Sequence, residues 1–572
     1  MSSLRGRLSL MFATAVLVLL AGVVARWVSR PRATHQLEQG TQPQLGIIEA
    51  HGEHRYSLAL AERECAFAAL KPWAEPGPTA QPASNLTLTV REPQPFSGFG
   101  PGPKLRSFSM HTGPIELGFC AEAAGSYELE LQAAETGGGY ELALERVLAR
   151  GTPKPKPAQP AENKLSPQLQ AVAAALHDPD RLEQFWRETQ RNGTPLIEPA
   201  ESDTSWVTFL YRGAAETREV SINWQMWTGE LALNQLTLLP GTDVWWRSLR
   251  LPSTARASYQ LTIDPPLVAD PRSALADRAQ LAVSRADPLN HRPMLPEPEL
   301  DAFAQRSILQ LPEAPPERWL DPKPKPAAGR LERQGLFSKQ LGHEHGLTAY
   351  LPAEYSKQQK QAYPLLIFFD GEDYLRLMAA ARLLDALIAA RAIAPVVALF
   401  VHNDDPNQRA TELPCNAAFA AFVADELLPF ARAHYRLTTE AGLAGSSFGG
   451  LASSFIALTY PDRFSKVLSQ SGSFWWNFPA SHAAYDGSDN PGWLRRRYTQ
   501  RPVANTQFYL SAGIFESSPE GDGVLDQNRL QRDVLRGLGY SVAYQEFVGG
   551  HDHLAWRATL PDGLIALYAP TP

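Results

Sequence analysis

Apolar and polar positions change rhythm along the chain, and the changes divide it. It opens with an apolar run at residues 8–25, with Arg5 and Arg7 before it and Arg26, Arg30 and Arg32 after it. From about 45 to 150 the pattern is that of short strands: residues 53–60, then 86–90 and 127–131, which alternate with period two, and 140–144 after Gly137-Gly138-Gly139. Short alternating runs with turn residues between them predict a small β-sandwich. Pro153, Pro155, Pro157 and Pro160 then predict a stiff linker. A helical pattern over roughly 165–191 ends at Asn192-Gly193. A second β-rich region follows at about 196–265, with strands predicted at 206–211, 220–224 and 257–263. It too reads as a sandwich, immunoglobulin-like in length. Residues 296–328 are proline-rich and predict a linker to the last region.

From about 331 the pattern becomes alternating β and α. Apolar strands are predicted at 347–351, 363–369, 395–401, 441–444, 465–471, 507–511 and 542–548. Helices are predicted at 379–391, 417–434 and 451–460. Apolar strands separated by helices predict a mostly parallel sheet covered on both faces. The fold class expected is α/β: a C-terminal α/β-hydrolase domain with a mostly parallel sheet, preceded by two β-sandwich-like domains. The predicted domains are 1–32 (targeting segment), 45–150 (jelly-roll-like β domain), 165–295 (second β-sandwich) and 330–572 (catalytic α/β domain).

A length of 572 residues agrees with several domains, because a single core stops growing well short of it. The net charge of −7 argues against a nucleic-acid partner, which would require a basic surplus. Three cysteines exclude a disulfide scaffold and a Cys-based zinc site. Cys65 and Cys120 both fall in the first β region; in an exported chain they either pair or stay buried as thiols. The apolar run at 8–25 has about the length at which a long signal peptide grades into a membrane anchor. Val23-Val24-Ala25 would serve as a cleavage site, but Arg26 directly after it favours an uncleaved anchor. The chain is therefore expected to be exported and periplasmic, with inner-membrane attachment through residues 8–25.

Gly445-Ser446-Ser447-Phe448-Gly449-Gly450 carries the chemistry. A G-x-S-x-G between a predicted strand and a predicted helix is a nucleophile elbow, in which a tight turn holds the serine oxygen clear of the sheet. Triad order in this fold places an acid and then a histidine downstream. His551 follows the last predicted strand, in Gly549-Gly550-His551-Asp552-His553, with His553 as the alternative. Glu516 follows the strand before it, with Asp522 and Asp526 as alternatives; a Ser–His dyad is the remaining option. The oxyanion hole would take the N–H of Phe448 and one from Asp370-Gly371-Glu372, assigned to Glu372 with Gly371 next. No metal is expected: neither His343-Glu344-His345 nor His551-x-His553 has H-E-x-x-H spacing, and adjacent strand residues face opposite ways. No phosphate loop or dinucleotide fingerprint appears, so no cofactor is expected.

Several separate motifs together resemble the enterochelin (enterobactin) esterase family. They are Phe369-Asp370-Gly371, the segment from Arg409 to Asn416, Gly445 to Gly450, the segment from Leu468 to Trp476, and Gly549-Gly550-His551-Asp552. Further matches precede them: Phe185-Trp186-Arg187-Glu188, Gly193-Thr194-Pro195-Leu196, the segment from Leu239 to Trp245, and Asp287-Pro288-Leu289-Asn290. The resemblance covers roughly 165–572. It implies hydrolysis of the trilactone of ferric catecholate siderophores, with Ser447 as nucleophile, His551 as base and Glu516 as acid. Iron would enter only with the substrate. The region from Gly125 to Tyr140 is also similar to the end of pre-peptidase-type jelly-roll domains. The export segment and the extra domain at 45–150 depart from the cytoplasmic family members, so the alternative is an exported serine esterase or acyltransferase acting on another ester, feruloyl, glycan or lipid. An anionic, aromatic substrate wants arginine and aromatic side chains together. The candidates are Arg409, Trp475, Trp476, Arg495 and Arg497, with Trp493 beside them. Cys415 reads as a buried structural thiol.

Overall fold

The computed structural model describes residues 35–570, apart from 41, 74–84, 94–102, 111–113, 135–136, 151–162, 227–233, 271–272, 297–300, 356–360, 404–405, 485, 502–503 and 519–520. The apolar run at 8–25, its cleavage site and the prolines at 153–160 lie outside the described residues. Among the described residues no helix is long and apolar enough to cross a membrane. The chain divides into two compact units at Ala149/Arg150.

Among its described residues the first unit holds two sheets, of five and four strands. Glu53–Leu60, Gly125–Ala133, Leu86–Arg91 and Lys104–Met110 lie side by side in one; Gln44–Ile48, Gly138–Ala149, Glu64–Pro72 and Ile115–Cys120 lie side by side in the other. The alternating strands obey their pattern: Leu86, Leu88 and Val90 point into the core. Glu64–Pro72 gave no such signal, because every residue from Cys65 to Leu70 is buried and alternation disappears. Cys65 and Cys120 are register partners on neighbouring strands and form a disulfide, which closes the choice left open above.

Among the described residues of the second unit, two α-helices stand over 167–192 where one was expected. Asp178 caps the second, Pro179–Asn192, by accepting from the N–H groups of Asp180 and Arg181. Pro179 cannot continue the preceding helix, so the chain restarts there. A four-stranded sheet (Leu196–Pro199, Thr204–Arg212, Val244–Pro252, Thr237–Leu238) and a second sheet built on Val220–Trp224 and Arg256–Ile263 follow. Ser307–Gln310 pairs with Arg256–Ile263, so the proline-rich stretch expected as a linker supplies a strand to this sheet.

The catalytic sheet has eight strands, numbered here along the chain. They are β1 (Arg330–Phe337), β2 (Glu344–Leu351), β3 (Tyr363–Phe368), β4 (Val397–Val401), β5 (Leu437–Ser446), β6 (Lys466–Gln470), β7 (Gln507–Gly513) and β8 (Ser541–Phe547). Their spatial order is β1-β2-β4-β3-β5-β6-β7-β8. β2 is antiparallel to both its neighbours, and the pairs from β4 to β8 are parallel. Successive β3 residues enter different cores: Leu365 and Ile367 join one, Leu366 and Phe368 the other. The central strands are thus covered on both faces, as their unbroken apolar runs predict. The order is that of an α/β-hydrolase sheet, and the functional side chains gather where β3, β5, β6, β7 and β8 end.

Candidate active site

β5 runs directly into the Phe448–Thr459 helix, and Ser447 is the turn between them. Its backbone sits at φ 56°, ψ −121°, which a residue with a Cβ adopts only under constraint. The constraint is visible. Ser447 N–H donates to the Gln470 carbonyl at 2.9 Å, and Ser473 N–H donates to the Ser447 carbonyl at 3.1 Å. A Cβ on Gly445 would lie 2.4 Å from the Gly449 carbonyl carbon, so the turn closes only with glycine there. Ser447 Oγ lies 3.2 Å from Ser473 Oγ.

The acid and the histidine are joined. His551 Nδ1 lies 2.6 Å from Glu516 Oε1, and the Glu516 side chain is fully buried. Ser471 Oγ and Gly513 N–H donate to Glu516 Oε2 at 2.8 and 2.6 Å, and Trp556 Nε1 donates to Ser471 Oγ at 2.9 Å. A carboxylate accepting these bonds is held in place. It accepts the Nδ1 proton of His551, so the Nε2 lone pair is left to take a proton. The neighbours of Ser447, Gln470 and Ser473, flank Ser471, so Ser447 and Glu516 are tied to one strand end. The other candidates sit elsewhere: Asp522 bonds Ser518 on an exposed turn, Asp526 faces Arg529 at 4.0 Å, and His553 faces Asp373 at 3.5 Å.

The segment after β3 carries the second half of the expected oxyanion hole. Asp370 has a left-handed φ of 54°, and the short Gly371–Arg376 helix starts immediately after it. N–H groups at a helix start have no partner within the helix. Gly371 is buried, whereas the Glu372 side chain is 55% exposed and is aimed at His402 and Arg333. The segment is locked to the elbow. Arg409 grips Asp370 with two bonds, Nε to Oδ1 at 2.7 Å and a terminal nitrogen to Oδ2 at 2.8 Å, while lying over the Phe448 ring at 5.6 Å. Tyr374 donates its hydroxyl to the Gln470 side chain at 3.1 Å.

Arg409 therefore differs from its expected role as a cation open to substrate: its bidentate face is engaged by Asp370. Arg495 is also tied down, to Gln527 at 3.0 Å and to the Pro491 carbonyl at 3.1 Å. Arg497 lies over Trp493 at 4.9 Å and bonds Gln500 at 3.0 Å. Trp476 joins Phe478 and Trp493 in an edge-to-face aromatic cluster, and Trp493 is buried. Trp475 is 40% exposed, and its ring centre is 6.0 Å from that of Phe448, so it borders the elbow. Cys415 is buried, and burial pushes its thiol well above the usual range, in keeping with a structural role.

The structure adds residues that local sequence could not supply. His551 N–H donates to the Gln225 carbonyl at 3.0 Å, and Arg256 N–H donates to the Val548 carbonyl at 3.2 Å. A Cβ on Gly550 would meet the Gln225 oxygen at 1.9 Å. Asp552, buried, caps the His553–Tyr568 helix and accepts from the N–H and hydroxyl of Ser258, which in turn accepts from Arg306 Nε at 2.7 Å. The second β-sandwich thus holds the histidine loop by its backbone and by Asp552. Ser258 and Asp552 are 294 residues apart, so no spacing rule could join them.

His343 and His345 are a further departure. They are separated by Glu344, so they share one face rather than opposing ones. Glu412 closes on both, and the three ligand atoms lie within 4.8 Å of one another.

A buried carboxylate orienting a histidine, a serine on a strained elbow and a helix-start backbone segment beside it can carry out acyl transfer. Comparison with known proteins agrees. The Esterase family model matches residues 338–567, and the model described as "Enterochelin esterase, N-terminal" matches residues 206–320. The iron(III) enterobactin esterase of Dickeya dadantii is 31% identical over 425 residues, covering 68% of this chain and 94% of that protein. The iron(III) salmochelin esterase of Escherichia coli O6:H1 is 29% identical over 398 residues, covering 67% and 93%. The crystal structure of the Shigella flexneri enterobactin esterase in the presence of enterobactin superposes with a TM-score of 0.54 at 26% identity, covering 67% of this chain and 97% of that one. The fold and these matches define a carboxylic ester hydrolase of the α/β-hydrolase class. Within that class, the chain belongs to the enterochelin esterase family.

Proposed function

We propose that this protein is a serine esterase that opens the trilactone of a ferric catecholate siderophore such as enterobactin, and so releases iron. The observation that carries the reading is the continuity of the family match. Residues 206–320 and 338–567 match successive parts of the family, and the first part supplies Gln225, Arg256 and Ser258 to the histidine loop of the second. A generic esterase has no need of that first part.

Ser447 Oγ attacks a lactone carbonyl while His551 Nε2 takes its proton, and the oxyanion is received by the N–H of Phe448 with that of Glu372 or Gly371. His551 then gives the proton to the departing serine oxygen of the ring, which leaves a ring-opened ester on Ser447. Water, losing a proton to His551, releases the linear acid and restores the enzyme. Glu516 keeps His551 in the required tautomer throughout. Trp475, exposed beside Phe448, is the aromatic side chain placed to meet a catecholate ring, and Arg497, stacked on the buried Trp493, is the nearest candidate cation of that segment. Arg409 acts on the substrate indirectly, by fixing Asp370 and the segment after it. The enzyme works without a catalytic cofactor, and iron is cargo.

The reaction takes place outside the cytoplasm, with the chain exported and held at the inner membrane by residues 8–25. The arginine-flanked apolar run and the Cys65–Cys120 disulfide support this, because structural disulfides persist in oxidising compartments. The test is hydrolysis of ferric and iron-free enterobactin, with products separated by chromatography, beside a simple p-nitrophenyl ester. Linear trimer, dimer and monomer products that require Ser447 are expected. Turnover of the simple ester alone would overturn the siderophore reading while leaving an esterase.

A further inference from the structure

Glu412 is buried at the end of the Pro406–Glu412 helix, one turn after Arg409. Its two oxygens meet two imidazoles. Oε1 lies 2.7 Å from His343 Nε2, and Oε2 lies 3.3 Å from His345 Nε2. His345 is fully buried and stacks on Phe422 with ring centres 4.7 Å apart. His343 stands at the rim, with 36% of its side chain exposed, and its ring centre is 4.7 Å from that of His345.

The nitrogen assignments follow from the partners. His345 Nδ1 lies 3.3 Å from the His402 carbonyl oxygen, which only accepts, so Nδ1 carries the hydrogen. In the neutral ring, Nε2 is then a bare lone pair aimed at a carboxylate oxygen. His345 Nε2 and Glu412 Oε2 face each other at 3.3 Å, and neither has a further hydrogen-bond partner. A buried lone pair facing an anion is unfavourable unless a cation lies between them. An imidazole whose other nitrogen is anchored on a carbonyl is also how metal-ligating histidines are oriented. Two ligands on one tetrahedral zinc lie about 3.3 Å apart, given Zn–N and Zn–O bonds of about 2 Å. Two imidazoles and a carboxylate form a donor set suited to such an ion, with a fourth position left for water on the exposed side of His343.

We propose that His343 Nε2, His345 Nε2 and the Glu412 carboxylate form a site for a divalent transition cation of the zinc type. The cation ties the β1–β2 hairpin to the helix that carries Arg409. It is a structural clamp, and through Arg409 it steadies Asp370. It takes no part in acyl transfer, so it stands independently of the siderophore reading.

The test uses the full chain, stripped with a chelator and titrated with Zn²⁺, with Co²⁺ as a spectroscopic probe. One equivalent of Zn²⁺ is expected to bind, Co²⁺ to give the intense visible bands of a four-coordinate ion, and Zn²⁺ to raise the Tm. His343→Ala changes a rim residue and is expected to fold, yet to bind Zn²⁺ at least about 10-fold more weakly and to lose the Tm shift. His345→Lys keeps a cation against Glu412 and is expected to lose the metal while remaining folded. His551→Ala is expected to retain it. Equal affinity and stoichiometry in wild type and His343→Ala would overturn the proposal and leave a protonated imidazole on Glu412 as the buried cation. Loss of binding in His551→Ala alone would overturn it as well, by placing the metal on the catalytic histidine.

Discussion

Ser447 keeps a backbone conformation that its own Cβ disfavours, and it does so because bonds to Gln470 and from Ser473 hold the turn from both sides. At this scale the predictions concern single side chains. Ser447→Ala should lower kcat by about 10⁴ to 10⁶ while leaving ligand affinity intact, measured by turnover beside equilibrium binding. Glu516→Gln replaces the anion that receives the His551 Nδ1 proton, and a loss of about 10⁴ in kcat is expected from the lost tautomer. A pH–rate profile of that variant distinguishes misprotonation from misfolding. Arg409→Gln should lower kcat by about 10² by loosening Asp370 and the oxyanion segment, with a smaller effect on KM. An effect on KM alone would return Arg409 to direct substrate binding. The Ser447 elbow and the His551–Glu516 pair were legible in the sequence because each residue follows a strand end in a fixed order. The partner of Arg409 was not, because Asp370 lies 39 positions away on a different element.

At the scale of elements, strands with clear alternation and the glycine-flanked elbow were legible, and fully buried or interrupted elements were not. Glu64–Pro72 hides every side chain from Cys65 to Leu70, so it presents no period. The expected helix over 165–191 breaks where Pro179 forces a restart behind the Asp178 cap. The element with most bearing on catalysis is the loop between β8 and the final helix, pinned at Gln225 and Asp552 by the sandwich. Gly550→Ala would drive a Cβ into the Gln225 carbonyl. The loop must then retreat, and kcat should fall by about 10² with far-UV circular dichroism unchanged, because small displacements of a catalytic base are costly. Wild-type kcat in this variant would mean that the sandwich does not position His551.

At the scale of the whole molecule, the first unit is stabilised apart from the chemistry. The Cys65–Cys120 bond closes a loop across 55 positions, which by chain entropy is worth on the order of 4 kcal/mol. Cys65→Ser with Cys120→Ser should lower the thermal stability of that unit while esterase kcat stays unchanged. Glu130 is buried there. Burial alone would raise its carboxyl, but its bond to Arg91 and the charges of Arg91 and Arg55 outweigh that and hold it below its ordinary 4.5. A depressed carboxyl stabilises the fold above its unfolded value and loses that contribution as pH falls through its folded value. The unit should therefore resist acid down to below pH 4.5, and Glu130→Gln should unfold more easily at neutral pH by about 2 kcal/mol, because Arg91 loses its carboxylate partner while Arg55 keeps Glu53 and Glu128. Melting curves across pH check both. By itself the sequence determined the α/β-hydrolase class, the placing of Ser447, Glu516 and His551 at successive strand ends, and the family, because these are written in local spacing: period, turn glycines and motif order along one chain. Only the tertiary structure decided that Arg409 serves Asp370, that the second sandwich grips the His551 loop, and that His343 and His345 meet Glu412. Those contacts join residues tens to hundreds of positions apart, and burial and hydrogen bonding select them only once the chain has folded.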